Sequence, residues 1–278
     1  MVIKRIYCIV SVYIFMLCNI AHAQTKDIDY SLFEKKTYTQ GKYKLPYRLL
    51  WPEDMKEGEK YPLFIFLHGM GLGGRDNEKQ LKRGAELFLI PENRANYPCI
   101  VLYPQAPFGR AFIQVWKKGR PLLIGGFRKF SKKRADKNSY EISLSPYGKM
   151  VYEVIQELIE EDIVDTKRIY ISGASMGAFS TFQFIAEYPI FAAAMPMAGG
   201  AAPCNIDNWA GKTPIWIVHG DKDPIIPVES SRLVVKELKE KGITNYRYSE
   251  YSGVRHHCWD EAFKDAEYLE WFFSKCRD

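Results

Sequence analysis

The sequence predicts an α/β fold with a mostly parallel, twisted sheet that has helices on both faces. Short apolar runs of strand length alternate with longer amphipathic stretches, and no internal repeat or low-complexity linker interrupts them. Parallel strands need crossover connections, and helices packed on the sheet provide these. Residues 24–278 are expected to form one domain, because α/β folds of this size commonly surround a single sheet.

The predicted elements follow one another from a β-rich start at residues 43–51. Strands are predicted at residues 63–67, 99–103, 168–171, 191–197, 213–218 and 246–251. Helices are predicted at residues 77–89, 146–161, 228–241 and 260–275, with another directly after strand 168–171. The alternation of the two types is the signal for a parallel sheet.

One stretch, residues 107–145, has no clear period and is rich in Lys and Arg. A long irregular segment in a compact domain is often a lid or a binding loop. Its cations would attract an acidic substrate, and its aromatic side chains would offer a stacking surface to a sugar or an aromatic acyl group. These aromatic residues are Phe112, Trp116, Phe127 and Phe130. The alternative interpretation is a solvated surface insertion.

The most informative motif is GASMG at residues 173–177, which follows the apolar run 168–171 and opens a helix-like stretch. A strand that turns sharply into a helix holds its serine in a strained conformation, and small residues on either side keep Cβ atoms out of the turn. The motif therefore predicts a nucleophile at Ser175. An ordinary turn serine is the alternative.

A nucleophilic serine needs a base and a carboxylate that orients the base. The sequence has five histidines, at positions 22, 68, 219, 256 and 257. The first lies in a leader-like segment, and the next two directly precede a glycine at the end of an apolar run. With this motif the three residues follow one another along the chain as Ser, then Asp or Glu, then His. His256 and His257 therefore remain as candidates for the base. The carboxylate is expected after strand 213–218, at Asp223, with Asp221 as the alternative.

Four segments resemble the α/β-hydrolase superfamily in order and spacing: residues 66–71, 165–179, 216–231 and 251–263. The resemblance is to the secreted carboxylesterase and phospholipase-like branch, which is related to prolyl-oligopeptidase catalytic domains and to feruloyl and acetyl-xylan esterases. It implies an α/β-hydrolase fold and a serine esterase that acts through Ser175, His256 and Asp223 by way of an acyl-enzyme. His257 and Trp116 are candidate substrate contacts.

An ester hydrolase must also stabilise the oxyanion of its tetrahedral intermediate. One expected donor is the backbone N–H of Met176, directly after the serine, and the resemblance assigns the second to the N–H of Met70. No cofactor is expected, and no H-E-x-x-H or spaced cysteine cluster indicates a metal.

The expected partner is a small-molecule or oligosaccharide ester, with carbohydrate-linked acetyl or feruloyl esters as the leading substrates by resemblance. A lysophospholipase or a general aryl esterase is the first alternative. A non-catalytic carbohydrate-binding protein that kept the fold is the alternative from another class. The oligomeric state is not predicted.

The amino terminus has the form of a signal peptide. Lys4 and Arg5 precede the apolar stretch 6–20, and the small residues Ala21 and Ala23 predict cleavage after residue 23. This stretch is shorter than the roughly 20 apolar residues that span a bilayer, so a stable membrane anchor is not expected. The protein is predicted to be exported, to the periplasm or beyond. Removing the leader lowers the net charge from +6 to +4, and no nucleic-acid recognition module is present.

Four cysteines remain after the leader, at positions 99, 204, 258 and 276. An even number in an oxidising compartment permits disulfides, and four cysteines allow three complete pairings. A bond between Cys204 and Cys258 would tie together two loops near the expected site. The sequence does not choose among the pairings.

Overall fold

The computed structural model describes residues 28–117, 120–121, 140–201 and 206–278. It separates residues 1–30 from a second unit, residues 31–278. In the first unit, residues 28–30 are described and are neither helical nor extended in a sheet. The predicted signal peptide, residues 1–23, lies outside the described residues.

An eight-stranded sheet organises the second unit, in the order β1-β2-β4-β3-β8-β9-β10-β11. The pairings from β4 through to β11 are parallel, and β1 and β2 are antiparallel additions at one edge. The predicted α/β class with a mostly parallel sheet is therefore confirmed. The strands are β1 (Glu34–Gln40), β2 (Tyr43–Leu50), β3 (Tyr61–Leu67), β4 (Ile100–Pro104), β8 (Val164–Ala174), β9 (Ala193–Met197), β10 (Ile215–Gly220) and β11 (Tyr246–Tyr251).

The central strands are buried along their whole length. All residues of β3, β4, β9 and β10 are buried, as expected for parallel strands that are covered on both faces. The α-helices described are Pro91–Asn96, Pro146–Glu160, Met176–Glu187, Ile206–Trp209, Glu229–Glu240, Trp259–Ala262 and Glu267–Phe273. Among the residues described, no helix is both long and apolar enough to cross a membrane.

Helix Pro146–Glu160 is determined by two features of its local sequence, a capping residue and a helical repeat of apolar residues. Ser145 caps its first turn by accepting the N–H of Gly148, and a proline occupies the first helical position. The buried residues recur at helical spacing: Met150, Val151, Val154, Ile155 and Leu158. This stripe packs into the main core, so capping and periodicity predict the same helix.

Two predicted helices are wrong as single elements. In place of helix 77–89 there are two 3-10 helices, Lys79–Lys82 and Ala85–Leu89, separated by Gly84 at φ 73°. That left-handed conformation ends helical hydrogen bonding. The predicted helix 260–275 is divided into Trp259–Ala262 and Glu267–Phe273, and in the turn between them the Asp265 side chain accepts the N–H of Glu267.

Parts of the segment 107–145 form strands, so the expectation of an irregular segment is wrong for residues 113–117, 120–121 and 140–144, whereas residues 107–112 form neither a helix nor a strand. Strand β5 (Ile113–Lys117) pairs antiparallel with β6 (Arg120–Pro121) and β7 (Tyr140–Leu144) to form a separate small sheet. The expected lid falls largely on residues 118–119 and 122–139, which lie outside the described residues. Positions 127 and 130, two of the four proposed stacking residues, are among them.

The other two stacking candidates have different outcomes. Phe112 is fully buried, and its ring centroid lies 5.1 Å from that of His68 in an edge-on contact. It is a core residue, and the proposed stacking role is wrong for it. Trp116 lies on β5, and its side chain is outside the described residues.

The carboxyl ends of the parallel strands bring the predicted site residues to one edge of the main sheet. Met70 follows β3, Ser175 follows β8, Asp223 follows β10 and His256 follows β11. Ligands of open α/β sheets bind at this edge, because the loops there converge from neighbouring strands. The topology therefore places residues that are distant in sequence on one surface.

Candidate active site

Ser175 occupies the turn between β8 and helix Met176–Glu187. Its backbone has φ 56° and ψ −112°, a conformation that L-residues rarely adopt. The turn is held because the Ser175 N–H donates to the carbonyl of Met197 and its carbonyl accepts the N–H of Ala178. The serine side chain is partly exposed while its neighbours in the motif are buried, so a substrate can reach the hydroxyl.

The glycines of the motif are required by close backbone contacts. A Cβ atom on Gly177 would lie 1.8 Å from the carbonyl oxygen of Leu67, at the end of β3. A Cβ atom on Gly173 would lie 2.4 Å from the carbonyl oxygen of Gly177. Neither oxygen belongs to a flexible side chain, so neither can move away cheaply.

Gly177→Ala is expected to destabilise the protein by about 3 kcal/mol or more, because the added methyl overlaps the backbone of a central strand. Thermal unfolding should show a fall in Tm of roughly 6–12 °C. Gly71→Ala is the matched control, since a Cβ atom at that position meets nothing within 4 Å. Equal Tm values for the two variants would contradict the steric account.

A chain of short contacts joins three predicted site residues. The Oγ of Ser175 lies 3.0 Å from Nε2 of His256, and Nδ1 of His256 lies 2.6 Å from Oδ2 of Asp223. The carboxylate only accepts, so the Nδ1 of His256 carries a hydrogen and donates it. In the neutral ring, Nε2 is then the acceptor that faces the serine hydroxyl.

Asp223 is a fully buried carboxylate whose two oxygens are both satisfied. Oδ1 accepts the N–H groups of Ile225 and Ile226 at 2.8 and 3.0 Å, and Oδ2 faces the rings of His256 and His219. Burial alone raises the pKa of this carboxyl, but hydrogen bonds from His219, His256 and the Ile226 amide outweigh burial and hold the pKa well below its ordinary value. Asp223 is therefore ionised at neutral pH.

This depressed pKa makes a pH-dependent contribution to stability. Ionised Asp223 stabilises the fold fully above the unfolded-state pKa of about 4, and the contribution is lost as pH falls through the folded-state pKa. Asp223→Asn should therefore reduce the free energy of unfolding by about 2 kcal/mol at pH 7, with a smaller penalty at pH 3. Calorimetry at pH 7, 5 and 3 measures this. A penalty that does not change with pH would contradict it, and Asp54→Asn, at an exposed position, is the control.

The alternatives to His256 and Asp223 are placed elsewhere. The His257 side chain is 62% exposed, packs on Trp259 with ring centroids 4.9 Å apart, and lies 3.9 Å from the Asp260 carboxylate. Asp221 accepts the N–H of Gly253 at 2.7 Å, which holds the loop after β11. The structure thus brings His256 and Asp223, rather than His257 and Asp221, into the hydrogen-bonded series that begins at Ser175.

The predicted oxyanion donors belong to two segments that meet at the serine turn. Met176 begins the helix after Ser175, and Met70 begins a short 3-10 helix after β3. Gly69 lies directly against the turn, since a Cβ atom on it would be 3.6 Å from the Cβ of Ser175. Among the backbone bonds between described residues, neither methionine N–H donates to a carbonyl. Both donors stay predictions, and this geometry leaves them available.

Two buried polar residues that are absent from the predicted site, His68 and Gln105, hold the loop that contains Met70. His68 accepts the N–H of Ala106 at Nε2, so its Nδ1–H donates to the carbonyl of Gly69, 2.7 Å away. Burial lowers the pKa of His68 to about 4, which keeps the ring neutral. Gln105 donates to the carbonyl of Leu72. His68 directly follows β3 and Gln105 directly follows β4, and both strands are wholly buried. A polar residue directly after an apolar strand is the sequence signal that could have pointed to them.

Three large apolar side chains are exposed on loops at the same edge of the sheet. Met70 is 45% exposed, Phe108 is 80% exposed and Ile225 is 49% exposed. They follow the carboxyl ends of β3, β4 and β10, on loops at the edge of the sheet where Ser175 also lies. We call these three residues the apolar rim. Exposed apolar groups beside a reactive site are typical of a ligand-binding surface.

The cysteines give a correction. Cys99 and Cys258 are buried free thiols, and Cys276 is an exposed free thiol. The suggested bond between Cys204 and Cys258 is wrong, because the Sγ of Cys258 is unpaired and faces the carbonyl of Val218 at 3.9 Å. Residue 204 lies outside the described residues.

Comparison with known families identifies the chain. A family model described as phospholipase/carboxylesterase matches residues 128–271, just over half of the sequence. This range contains Ser175, Asp223 and His256, whose series of short contacts we call the contact chain. The chain belongs to the phospholipase/carboxylesterase family of α/β-hydrolases. The resemblance noted in the sequence is therefore confirmed at the level of the family.

Individual relatives of this α/β-hydrolase match at moderate identity. It is similar to a bifunctional acetylxylan esterase/xylanase from Neocallimastix patriciarum (26% identity over 110 residues, 37% of this chain and 16% of the relative). It is also similar to acyl-protein thioesterase 1 from Debaryomyces hansenii (27% identity over 124 residues, 41% of this chain and 53% of the relative). A solved thermostable esterase superposes with a TM-score of 0.74 at 33% identity over 88% of this chain and 64% of the other. The chain thus spans less than two thirds of each of these relatives.

Proposed function

We propose that this α/β-hydrolase is a serine carboxylic-ester hydrolase. The observation that carries the proposal is the contact chain from Ser175 through His256 to Asp223, with spacings of 3.0 and 2.6 Å, at a strained strand-to-helix turn. Proton transfer needs distances of this size between nucleophile and base. Membership of the phospholipase/carboxylesterase family supports the same chemistry.

Acylation begins when Nε2 of His256 takes the hydroxyl proton of Ser175 as Oγ attacks the ester carbonyl. The carbonyl oxygen becomes an oxyanion, and the N–H groups of Met70 and Met176 stabilise it without reorganisation. His256 then donates its proton to the leaving alcohol, the bond from the carbonyl carbon to the alcohol oxygen breaks, and the acyl group stays on the serine.

Deacylation repeats these steps with water. His256 takes a proton from the attacking water, and returns it to Oγ of Ser175 as the carboxylic acid leaves. Asp223 holds the imidazole in the tautomer that has a hydrogen on Nδ1, and it stabilises the imidazolium when that forms. Apart from the ester and the water, these proposed steps use the side chains of Ser175, His256 and Asp223 and two backbone N–H groups.

The substrates we propose are carbohydrate-linked acetyl or feruloyl esters. The similarity to an acetylxylan esterase supports an ester on a polysaccharide, and the apolar rim supports an acyl group larger than acetyl, such as feruloyl. Trp116 and His257 are proposed to contact the substrate. A lysophospholipase or general aryl esterase is the second candidate, which the family's description favours. We also propose that residues 1–23 are a signal peptide, which would export the protein to the periplasm or beyond.

A panel of esters tests the proposal: p-nitrophenyl acetate, methyl ferulate, acetylated xylan and lysophosphatidylcholine. We expect hydrolysis of the first three esters. The kcat/KM should be higher on methyl ferulate or acetylated xylan than on p-nitrophenyl acetate. Preference for lysophosphatidylcholine would instead support the second candidate function, that of a lysophospholipase. No hydrolysis of any ester, together with binding of xylan, would indicate a non-catalytic carbohydrate-binding protein and contradict the proposal.

A further inference from the structure

A second buried histidine lies against the carboxylate of Asp223. His219 is fully buried near the end of β10. Its Nε2 lies 3.0 Å from the carbonyl oxygen of Ile226 and 3.3 Å from Oδ2 of Asp223. Both of these atoms only accept, so Nε2 carries a hydrogen and is the donor. None of the proposed proton transfers involves this ring.

The two acceptors belong to one turn. Oδ1 of Asp223 accepts the N–H groups of Ile225 and Ile226, which closes the turn after β10. The Nε2–H of His219 contacts two acceptors of that turn, the carbonyl oxygen of Ile226 and Oδ2 of Asp223. This carboxylate oxygen is the one that lies 2.6 Å from Nδ1 of His256. A single N–H group therefore acts on the atom that orients the base.

The other ring nitrogen is anchored. Nδ1 of His219 lies 2.7 Å from Oγ of Ser231, a fully buried residue of helix Glu229–Glu240. The same hydroxyl lies 3.0 Å from the carbonyl of Gly199, in the loop after β9. Because both nitrogens have partners on different elements, the ring cannot turn away from Asp223 without breaking hydrogen bonds in the core.

We propose that His219 is a positioning residue for ester hydrolysis: its Nε2–H fixes the Asp223 carboxylate in the orientation that His256 requires. The inference rests on the proposed function, because His219 acts through the same three residues. Without this donor, Oδ2 keeps the His256 contact alone and the carboxylate gains freedom to rotate. Small displacements of a catalytic group are sufficient to lower turnover strongly.

Two variants differ in where they keep an N–H donor. His219→Gln places its amide near the position of Nε2, and His219→Asn places its amide near Nδ1 only. We expect His219→Asn to lower kcat by about 10- to 100-fold with KM within about twofold, and His219→Gln to stay within about fivefold of the parent. Equal kcat values for the two variants would overturn the proposal.

A double-mutant cycle shows whether His219 acts through Asp223. In an Asp223→Ala background, His219→Asn should lower the residual kcat by less than about twofold, because the group that it positions is gone. A histidine with a merely structural role would cost the same factor in both backgrounds, and that result would also overturn the proposal. If His219→Asn is not recovered folded, Ser231→Ala releases Nδ1 instead, with an expected loss of about three- to tenfold that must likewise vanish without Asp223.

The parent protein separates this inference from the function on which it rests. A parent that hydrolyses no ester and does not react with a fluorophosphonate refutes the proposed function. A parent that does both, while His219→Asn keeps full kcat, refutes the role of His219 alone.

Discussion

Ser175→Ala is expected to lower kcat by at least about 10⁴-fold, because no other group can form the acyl-enzyme once the hydroxyl is removed. The remaining rate would come from binding and from the oxyanion donors. The fold should survive, since the Ser175 side chain contacts His256 and its backbone bonds are independent of the hydroxyl. Steady-state hydrolysis of p-nitrophenyl acetate, with Tm measured alongside, provides the test.

Ser172→Ala is the matched control for this substitution. Ser172 lies three residues earlier, on β8, and its buried hydroxyl donates to the carbonyl of Met195. Its loss should cost a little stability and change kcat by less than about threefold. A Ser175→Ala variant that keeps the parent rate would end the account of Ser175 as nucleophile.

The second large effect is expected from His256→Ala, compared with its neighbour His257→Ala. Removing His256 takes away the group 3.0 Å from the serine hydroxyl, and kcat should fall by about 10⁴-fold or more. Removing His257, whose side chain is 62% exposed, should change kcat by less than about fivefold and act mainly on KM if it contacts the substrate.

Adjacent positions with the same residue type make this comparison stringent. Both variants lose an imidazole from one loop, so a general effect on the loop would lower both rates alike. Comparable losses in the two variants, or a larger loss for His257→Ala, would contradict the assignment of the base. Equal Tm values would show that neither result comes from unfolding.

The sequence predicted those features that have local causes. The small residues of GASMG follow from backbone contacts within a few ångströms of Ser175, so the motif alone predicts the sharp turn. Buried strands such as β3 and β10 are long apolar runs, which makes their existence and order readable. Chain order then placed Asp223 and His256 among the candidates.

The errors arose where contacts between distant segments decide the structure. Gly84 interrupts a helical pattern with φ 73°, and its α-carbon packs against the ring of Phe263, a residue far along the chain. In the basic segment, the alternation in Ile113–Lys117 and Tyr140–Leu144 was a strand signal that the surrounding lysines and arginines obscured. The contact of Gly84 with Phe263 and the pairing of β5 with β7 join segments that no short window of sequence contains together.

The contact chain itself also lies beyond local reasoning. Ser175 and His256 are 81 residues apart, and the choice between His256 and His257 depends on the path of the loop after β11. The importance of His219 depends on a turn that closes behind Asp223, so its position before a glycine predicted nothing about that contact. Hydrogen-bond partners of buried polar groups require the assembled sheet.

The central claim is that Ser175 is activated by His256, and covalent labelling tests it most directly. The folded protein is treated with a fluorophosphonate, and the modified residue is located by peptide mass mapping. The account predicts one phosphonyl group, on Ser175, with labelling abolished in Ser175→Ala and slowed by orders of magnitude in His256→Ala. An unlabelled protein, a label on another residue, or an undiminished rate in His256→Ala would contradict it.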